Sequence, residues 1–270
     1  MFINLIYILK EKINKLKGLV ISGGGSKGAF AGGVLEYLLT KQNKKWDILL
    51  GTSTGSLLLP HISLKKVDKV KKIYTNITQD DIFDVNPFII KKEKYVTINY
   101  INTLRQFIKR KRTFGESNNL RNIIENYFTI DEFMTVKKSN IDVIVTVSNL
   151  SKNKVEYKSI KDFEYQDFID WIWISCNLIP FMSLVTKNKH KYGDGGFSSM
   201  VPISECIKRG ATEIDVIILE PEINNKNKVL GKNPFGLMMN LLSYMINQVE
   251  TNDIREGKLS ALYNNVKLNI

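Results

Sequence analysis

A serine flanked by glycines stands where a buried strand is predicted to pass into a helix. The stretch GTSTG, Gly51 to Gly55, follows the apolar run DILL and precedes a helical pattern that begins at Thr54. This G-x-S-x-G context is that of a nucleophile elbow, in which glycines allow a sharp turn and the Ser53 hydroxyl projects above the sheet. The amino terminus of the following helix favours negative charge near that oxygen. The pattern therefore indicates nucleophilic chemistry at Ser53.

A second glycine-rich turn, ISGGGSKG from Ile21 to Gly28, exposes backbone N–H groups that can face an anion. The G-x-G-x-x-G spacing from Gly23 fits a dinucleotide fingerprint, but that fingerprint needs an acid at the carboxyl end of the next strand. Asp47 stands at the beginning of that strand. A P-loop needs Gly-Lys-Ser/Thr, and the order here is Lys-Gly-Ala. The anion is therefore either a bound phosphate or an oxyanion that exists only during a reaction.

A serine nucleophile needs a base, and the chain has 2 histidines. His61 lies about two helical turns beyond Ser53, and His190 precedes the glycine-flanked Asp194, so neither histidine suits a Ser-His-Asp triad. Asp194 stands in the stretch YGDGG. An aspartate held in such a turn can accept the serine proton directly, which makes Asp194 the better candidate.

The chain alternates strand-like and helix-like segments, which predicts an α/β fold with a largely parallel sheet covered on both faces. Because the two glycine turns follow consecutive strands, they lie at the same carboxyl edge of the predicted sheet, where open α/β sheets place their sites. A Lys-rich, less regular region, residues 65–112, is expected to be a cap or lid-like insertion. The predicted strands are 18–21, 47–50, 141–147 and 214–219. The predicted helices are 29–40, a helix from 54 onward, 168–177, 203–209 and 234–248.

The composition is that of one folded domain with a strongly basic surface. Of the 270 residues, 43% are hydrophobic, and the formal net charge is +12. This charge favours an anionic partner, either a phospholipid surface or nucleic acid, and a solvated basic face is the plain alternative. Cys176 and Cys206 have no partner at ligand spacing and are expected to be reduced core thiols.

Two segments have amphipathic patterns suited to a membrane surface. Residues 1–16 alternate apolar and lysine side chains at helical spacing, and this amino-terminal segment either lies in a membrane interface or packs on the domain. It is too short to span a bilayer and lacks the features of a signal peptide. Residues 100–112 form a second such helix ending in a basic cluster, which either docks on anionic lipid or packs its apolar side on the core. We therefore expect a cytoplasmic protein, either soluble throughout or peripheral on membranes, without a transmembrane helix.

Three motifs in order, GGGSKG with the helix AFAGGVLEYL, then GTSTG, then GDGG, resemble the patatin-like phospholipase family over about residues 17–219. The resemblance implies a three-layer α/β/α sandwich with a mainly parallel central sheet, formed by residues 17–270. It also implies hydrolysis of phospholipids or other lipid esters by a Ser-Asp dyad, with Ser53 as nucleophile and Asp194 as base, without histidine, metal or organic cofactor. The glycines implied alongside the dyad are Gly23, Gly24, Gly25 and Gly28 in the oxyanion hole, Gly51 and Gly55 in the elbow, and Gly195 and Gly196 in the base turn.

Two positions depart from the family pattern, and other functions stay open. Plant patatins carry an acid where this chain has Ser22 and an arginine where it has Lys27, which either holds the loop, adds positive charge near the oxyanion or is solvated. The same acyl-enzyme could pass its acyl group to an alcohol, as in a transacylase. A basic nucleic-acid-binding protein would leave GTSTG and GDGG unexplained, so nucleic acid is not the expected partner. A pseudoenzyme would have lost the dyad, whose motifs are intact.

Overall fold

The structure, a computed structural model, describes residues 15–91, 95–220 and 234–270. Most of the predicted amino-terminal segment lies outside these residues, and Leu16 already belongs to the first strand. The strands are β1 (Leu16–Ile21), β2 (Ile48–Thr52), β3 (Phe88–Lys91), β4 (Tyr95–Ile98), β5 (Asp142–Asn149), β6 (Lys154–Ser159), β7 (Val185–Lys187), β8 (His190–Asp194), β9 (Ala211–Ile217) and β10 (Lys267–Asn269). The helices are α1 (Gly28–Thr40), α2 (Thr54–Ser63), α3 (Val67–Asn76), α4 (Gln79–Ile82), α5 (Tyr100–Ile108), α6 (Asn118–Tyr127), α7 (Ile130–Lys138), α8 (Tyr165–Ser175), α9 (Ile203–Lys208) and α10 (Pro234–Tyr263).

Eight strands form one mixed, mostly parallel sheet in the order β10-β9-β1-β2-β5-β8-β7, and β6 pairs with β5. The strands from β10 to β5 are parallel, whereas β6 and β8 run antiparallel to β5, and β7 runs antiparallel to β8. β1, β2 and β5 are rich in Val, Ile and Leu and are largely buried on both faces, as expected for parallel strands covered by helices. The predicted α/β fold with a mainly parallel sheet is confirmed. The four predicted strands correspond to β1, β2, β5 and β9.

Successive residues of the central strands enter two separate apolar cores, because strand side chains alternate between the faces of a sheet. Leu19 and Leu49 pack in the larger core together with residues of α1, α2, α6, α7 and α8. Val20 and Leu50 pack in the smaller core with residues of α9 and α10. The molecule therefore has three layers, with helices on both sides of the sheet.

Two strands meet end to end beside β5, and this junction positions the candidate site. Ile144 of β5 pairs with β2 on one edge and β6 on the other, and Val147 pairs with β6 and β8 in the same way. β2 and β8 therefore share one edge of β5. Since β8 runs antiparallel, the carboxyl ends of both strands face each other: Thr52 lies opposite Thr146, and Asp194 lies opposite Val147.

The region predicted to be a cap folds into helices α3, α4 and α5 and the antiparallel β3–β4 hairpin. It is more regular than the sequence pattern indicated, and its role as a cap remains a prediction. Helix α5 turns its apolar side outward: Ile101, Leu104 and Ile108 are 67%, 61% and 73% exposed. The alternative in which this side packs on the core is therefore wrong.

Three expectations can be compared with the structure directly. Cys176 and Cys206 are free and buried, as predicted. Across residues 15–91, 95–220 and 234–270, no helix is both long enough and apolar enough to cross a membrane. The same residues contain no group of three or more His, Cys, Asp or Glu side chains arranged to hold a metal ion.

The larger core should depend strongly on Phe133 of α7, which is fully buried and contacts the rings of Phe128, Tyr165 and Phe168. We expect Phe133→Ala to lower the free energy of unfolding by about 3–5 kcal/mol, because it leaves a cavity as well as removing apolar contacts. Phe30→Ala is the matched control, since Phe30 is 64% exposed, and it should change stability by about 0.5 kcal/mol or less. Urea unfolding measures both, and equal midpoints for the two variants would contradict the burial of Phe133.

Candidate active site

Ser53 stands at the turn between β2 and α2, in a backbone conformation that few non-glycine residues adopt. Its φ of 52° and ψ of −121° reverse the chain sharply, and such strain persists only where the surroundings hold it. The Ser53 N–H donates to the Ser175 hydroxyl at 2.9 Å, and the Ser53 carbonyl accepts from the Cys176 thiol at 3.2 Å. Ser175 in turn donates to the Thr146 carbonyl at 2.7 Å, so the elbow is tied to β5. Sequence reasoning missed Ser175, because a small polar residue at the end of a helix carries no distinctive signal.

Glycines around Ser53 and Asp194 are required by close approach of backbone to backbone. A methyl group on Gly55 would lie 2.4 Å from the Ile21 carbonyl oxygen, and one on Gly51 would lie 2.6 Å from the Gly55 carbonyl carbon. A methyl group on Gly195 would lie 2.4 Å from a backbone oxygen of β5. Real side chains do not tolerate such distances. The absence of Cβ atoms thus lets the elbow, the glycine loop and the aspartate turn converge.

Asp194 ends β8 and is nearly buried, with 5% of its surface exposed. Its carboxylate accepts a hydrogen bond from the Gly196 N–H at 2.7 Å, and the Ser53 hydroxyl lies beside it. Its own N–H donates to the Asn177 carbonyl at 2.9 Å, which holds the strand end in place. Burial raises the pKa of Asp194 to about 6, although the Gly196 N–H and the Ser53 hydroxyl oppose the rise. A carboxylate with a pKa near neutrality is a much better proton acceptor than an ordinary aspartate.

The glycine loop lies beside Ser53 and has backbone N–H groups without acceptors. A methyl group on Gly23 would lie 3.3 Å from the Ser53 Cβ, which shows how close the loop comes. The Gly23 N–H faces the Met200 carbonyl at 3.4 Å, and the Gly28 N–H donates within the loop's short 3₁₀ turn. No oxygen of the described residues accepts from Gly24 or Gly25, and Gly25 has a φ of +57°. Of the four predicted oxyanion-hole glycines, Gly24 and Gly25 therefore have N–H groups available to a ligand.

The two positions that depart from the family pattern hold the loop to its neighbours. Ser22 is fully buried; its hydroxyl accepts from the Leu219 N–H at 2.9 Å and donates to the Gly23 carbonyl at 2.9 Å. Lys27 forms an ion pair with Glu220. Both contacts join the loop to the segment that follows β9, so a structural role accounts for both residues.

Neither histidine reaches the reacting groups. His61 lies on α2, about 12 Å along the helix axis from Ser53. Burial lowers the pKa of His61 to about 4, with the charge of Glu132 opposing. His190 begins β8, roughly 13 Å along the strand from Asp194. In the described parts of the chain, Ser53 and Asp194 thus lie side by side with no imidazole between them, and their roles as nucleophile and base remain a prediction.

An apolar cavity of about 450 Å³ opens at Ser53. Thr54, Leu57, Leu58 and His61 line one side of it, which is the i, i+3, i+4, i+7 face of α2, so the cavity extends along this helix. Helices α3 and α6 supply the opposite walls with apolar side chains, among them Val70, Ile73, Leu120 and Ile124. The sequence analysis did not identify this lining, because the same spacing is found on any helix face that packs against a core.

The chain matches a family model and is similar to individual proteins of known sequence or structure. The model of the family described as patatin-like phospholipase matches residues 19–207, a range that contains the glycine loop, Ser53 and Asp194. The uncharacterized protein YjjU of Escherichia coli (strain K12) is 25% identical over 211 residues, which are 75% of this chain and 52% of that protein. The crystal structure of VipD from Legionella pneumophila is similar with a TM-score of 0.49 and 14% identity, covering 76% of this chain and 50% of that one. This chain thus spans about half the length of each of these two relatives.

The close approach of α2 to the glycine loop generates a prediction for Gly55. We expect Gly55→Ala to slow labelling of Ser53 by a fluorophosphonate about a hundredfold, because the added methyl group pushes the elbow off the Ile21 carbonyl and a shift near 1 Å is enough to do this. Gly33→Ala on α1 is the matched control, since a methyl group there meets no atom within 4 Å. The control should label normally and gain up to about 1 kcal/mol of stability. Normal labelling of the Gly55 variant would show that the contact does not position Ser53.

Proposed function

Because this chain belongs to the patatin-like phospholipase family, whose members are lipid acyl hydrolases, we propose that it cleaves carboxylic esters of lipids through Ser53 and Asp194. The observation that carries the proposal is that the Ser53 hydroxyl lies beside the buried Asp194 carboxylate and lines an apolar cavity. A nucleophile in contact with a base is the arrangement that acyl transfer requires. The cavity suits an acyl chain, since its lining is mostly apolar.

The proposed reaction begins with an ester whose acyl chain occupies the cavity along α2. Ser53 attacks the carbonyl carbon while its proton passes to Asp194, and the N–H groups of Gly24 and Gly25 donate to the resulting oxyanion. In other serine hydrolases one such donor is worth about 3 kcal/mol. Asp194 then gives its proton to the departing alcohol or lysophospholipid. Water, deprotonated by the same carboxylate, hydrolyses the acyl-Ser53 ester and regenerates the enzyme.

The substrate we propose is a phospholipid presented at an anionic membrane surface, on which the protein is peripheral. The net charge of +12 supports this choice of surface, because cationic residues near an anionic leaflet contribute about 1 kcal/mol each. Hydrolysis of mixed phospholipid vesicles, followed by mass spectrometry with a Ser53→Ala control, tests the substrate class.

The dyad predicts how single and double variants compare. Ser53→Ala and Asp194→Asn should each lower single-turnover ester cleavage by about 10⁴-fold or more, because the nucleophile and the base act together and neither works alone. The double variant should be hardly slower than either single one, for the same reason. Circular dichroism establishes that each variant is folded.

His190→Ala separates a dyad from a triad. His190 lies at the far end of β8 from Asp194, so this variant should retain close to the full rate. A hundredfold loss in a folded His190→Ala protein would contradict a base that acts without imidazole.

The raised pKa of Asp194 predicts the pH dependence of the reaction. Asp194 must be ionised to accept the proton, so kcat/KM should rise with pH and level off above about 6, falling about tenfold per pH unit below that value. The same raised pKa makes the fold less stable as pH rises. Because folding raises the pKa of the buried Asp194 carboxyl, its protonation stabilises the fold fully below about pH 4, and this contribution is lost as pH rises through about 6.

Asp253 is the control for this profile, because burial raises its pKa to about 6 as well. Asp253→Asn should leave the midpoint unchanged if Asp194 is the titrating base. A midpoint near pH 4 in the wild-type protein, or one that moves with Asp253→Asn, would assign the profile to another group.

A further inference from the structure

Helix α5 buries its polar side and exposes its apolar side, which is the reverse of a helix that packs on a protein core. Its buried side holds Thr103 and Gln106, which are 9% and 3% exposed. The Thr103 hydroxyl and the Gln106 amide nitrogen have no hydrogen-bond partner among the described residues. The large apolar side chains all face outward, on one stripe of the helix: Tyr100, Ile101, Leu104, Phe107 and Ile108. Folding thus leaves exposed the side that the hydrophobic effect would otherwise bury.

An exposed apolar stripe of this kind marks an interaction surface rather than ordinary surface variation. Single apolar residues on a protein surface are common, but contiguous large ones usually contact a partner or a membrane. The five side chains fall at i, i+1, i+4, i+7 and i+8, so they form one continuous stripe. We call it the α5 stripe.

The charges next to the α5 stripe are of one sign. Arg105 lies on the helix, and Lys109, Arg110 and Arg112 follow its carboxyl end; all four are exposed. Within the described parts of the chain, no carboxylate forms an ion pair with any of these four residues. Lys111, between them, pairs with Glu116 at 2.7 Å. Apolar side chains beside uncompensated cations are the combination that binds the interface of an anionic lipid layer.

A row of aromatic rings connects the α5 stripe to the wall of the cavity. The Phe107 ring contacts Phe114 at 6.0 Å between centroids, Phe114 contacts Phe181 at 5.8 Å, and Phe181 contacts Phe88 at 5.3 Å. Phe88 belongs to the β3–β4 hairpin and lines the cavity that opens at Ser53. A lipid layer in contact with α5 would therefore lie within a few aromatic rings of the acyl-chain site.

We propose that the α5 stripe inserts into the interface of an anionic lipid layer, with Arg105, Lys109, Arg110 and Arg112 contacting lipid phosphates, and that this contact presents lipid esters to the cavity. The presentation of lipid esters to the cavity rests on the proposed function, whereas the docking on lipid does not. A second copy of the chain fits this surface less well, because it brings the same uncompensated cations. Residues 1–14 contain Lys10 and Lys12 against one acid, Glu11, and so are not complementary in charge either.

Vesicle sedimentation tests the docking without any turnover when all proteins carry Ser53→Ala. The full chain should bind phosphatidylcholine vesicles that contain phosphatidylglycerol at least about tenfold more tightly than phosphatidylcholine alone, and 1 M salt, with a Debye length near 3 Å, should remove most of the difference. The triple variant Ile101→Ser, Leu104→Ser, Ile108→Ser should lose about tenfold or more of this binding. The matched control is Leu259→Ser with Leu262→Ser on α10, whose side chains are equally exposed, and it should bind normally. Equal binding by the two sets of variants would overturn the proposal.

The role of the cationic residues is tested by a second set of variants with its own control. Arg110→Gln with Arg112→Gln should reduce binding to the anionic vesicles and its salt dependence. Lys71→Gln with Lys72→Gln, two exposed lysines on α3, should do so far less. A loss that is the same in both sets would mean that only net charge matters, which overturns a specific role for α5.

Catalysis in the Ser53 protein is measured separately, so the two proposals can fail independently. The α5 variants should hydrolyse a water-soluble short-chain ester at the wild-type rate but cleave vesicle phospholipid about tenfold more slowly. No ester hydrolysis by the wild-type chain would overturn the proposed function and leave the docking result standing.

A photo-crosslinker identifies the occupant directly. With p-benzoylphenylalanine at position 104 in the full chain, irradiation in the presence of anionic vesicles should give a phospholipid adduct by mass spectrometry. An adduct to residues 1–14 or to a second copy under the same conditions would overturn the lipid assignment.

Discussion

The approach of the Ser53 hydroxyl to the Asp194 carboxylate depends on one topological feature, the end-to-end meeting of β2 and β8 along β5. In an all-parallel sheet, the carboxyl ends of neighbouring strands lie side by side and point the same way. Here the antiparallel β8 takes over the edge of β5 where β2 stops, so the two carboxyl ends face each other across the step from Thr146 to Val147. A serine and an aspartate that are far apart in sequence are thereby brought side by side.

Backbone and side-chain atoms pack tightly at this junction, which explains both the glycines there and the raised pKa of Asp194. Gly55 and Gly195 have backbone atoms of other strands where a side chain would begin. The same packing keeps water from Asp194, which raises its pKa. A buried carboxylate of this kind opposes folding when it ionises, and the same raised pKa would make it a better base in the proposed reaction. Ser175 and Cys176 hold the strained Ser53 backbone from the other side.

The apolar cavity and the α5 stripe extend the same site outward. The cavity follows α2 away from Ser53, and its other walls come from α3 and α6. The hairpin and α5 then continue from its rim through a row of aromatic rings. The proposed reaction centre, the proposed acyl-chain space and the proposed lipid contact are thus connected through the sheet and the region between α2 and α6.

The sequence by itself determined the local features that depend on neighbouring residues. The β-branched runs predicted four sheet strands, the G-x-S-x-G turn predicted the elbow at Ser53, and the absence of a suitably placed histidine left Asp194 as the base candidate. Only the tertiary structure decided the features that depend on distant contacts. The antiparallel direction of β8 arises from pairing with β5, where Val147 and Asp194 are far apart in sequence. The pairing of Ser175 with the elbow joins residues that are 122 positions apart. The cavity lining comes from helix faces that look like any core-packing face.

The orientation of α5 belongs to the second group for a specific physical reason. Its amphipathic pattern shows that Ile101, Leu104 and Ile108 share one side, but periodicity carries no information about which side meets the protein. The hydrophobic effect favours burial of that side, yet the fold buries Thr103 and Gln106 instead. Tertiary contacts such as the hydrogen bond from the Asn102 amide to the Asn86 carbonyl fix this orientation.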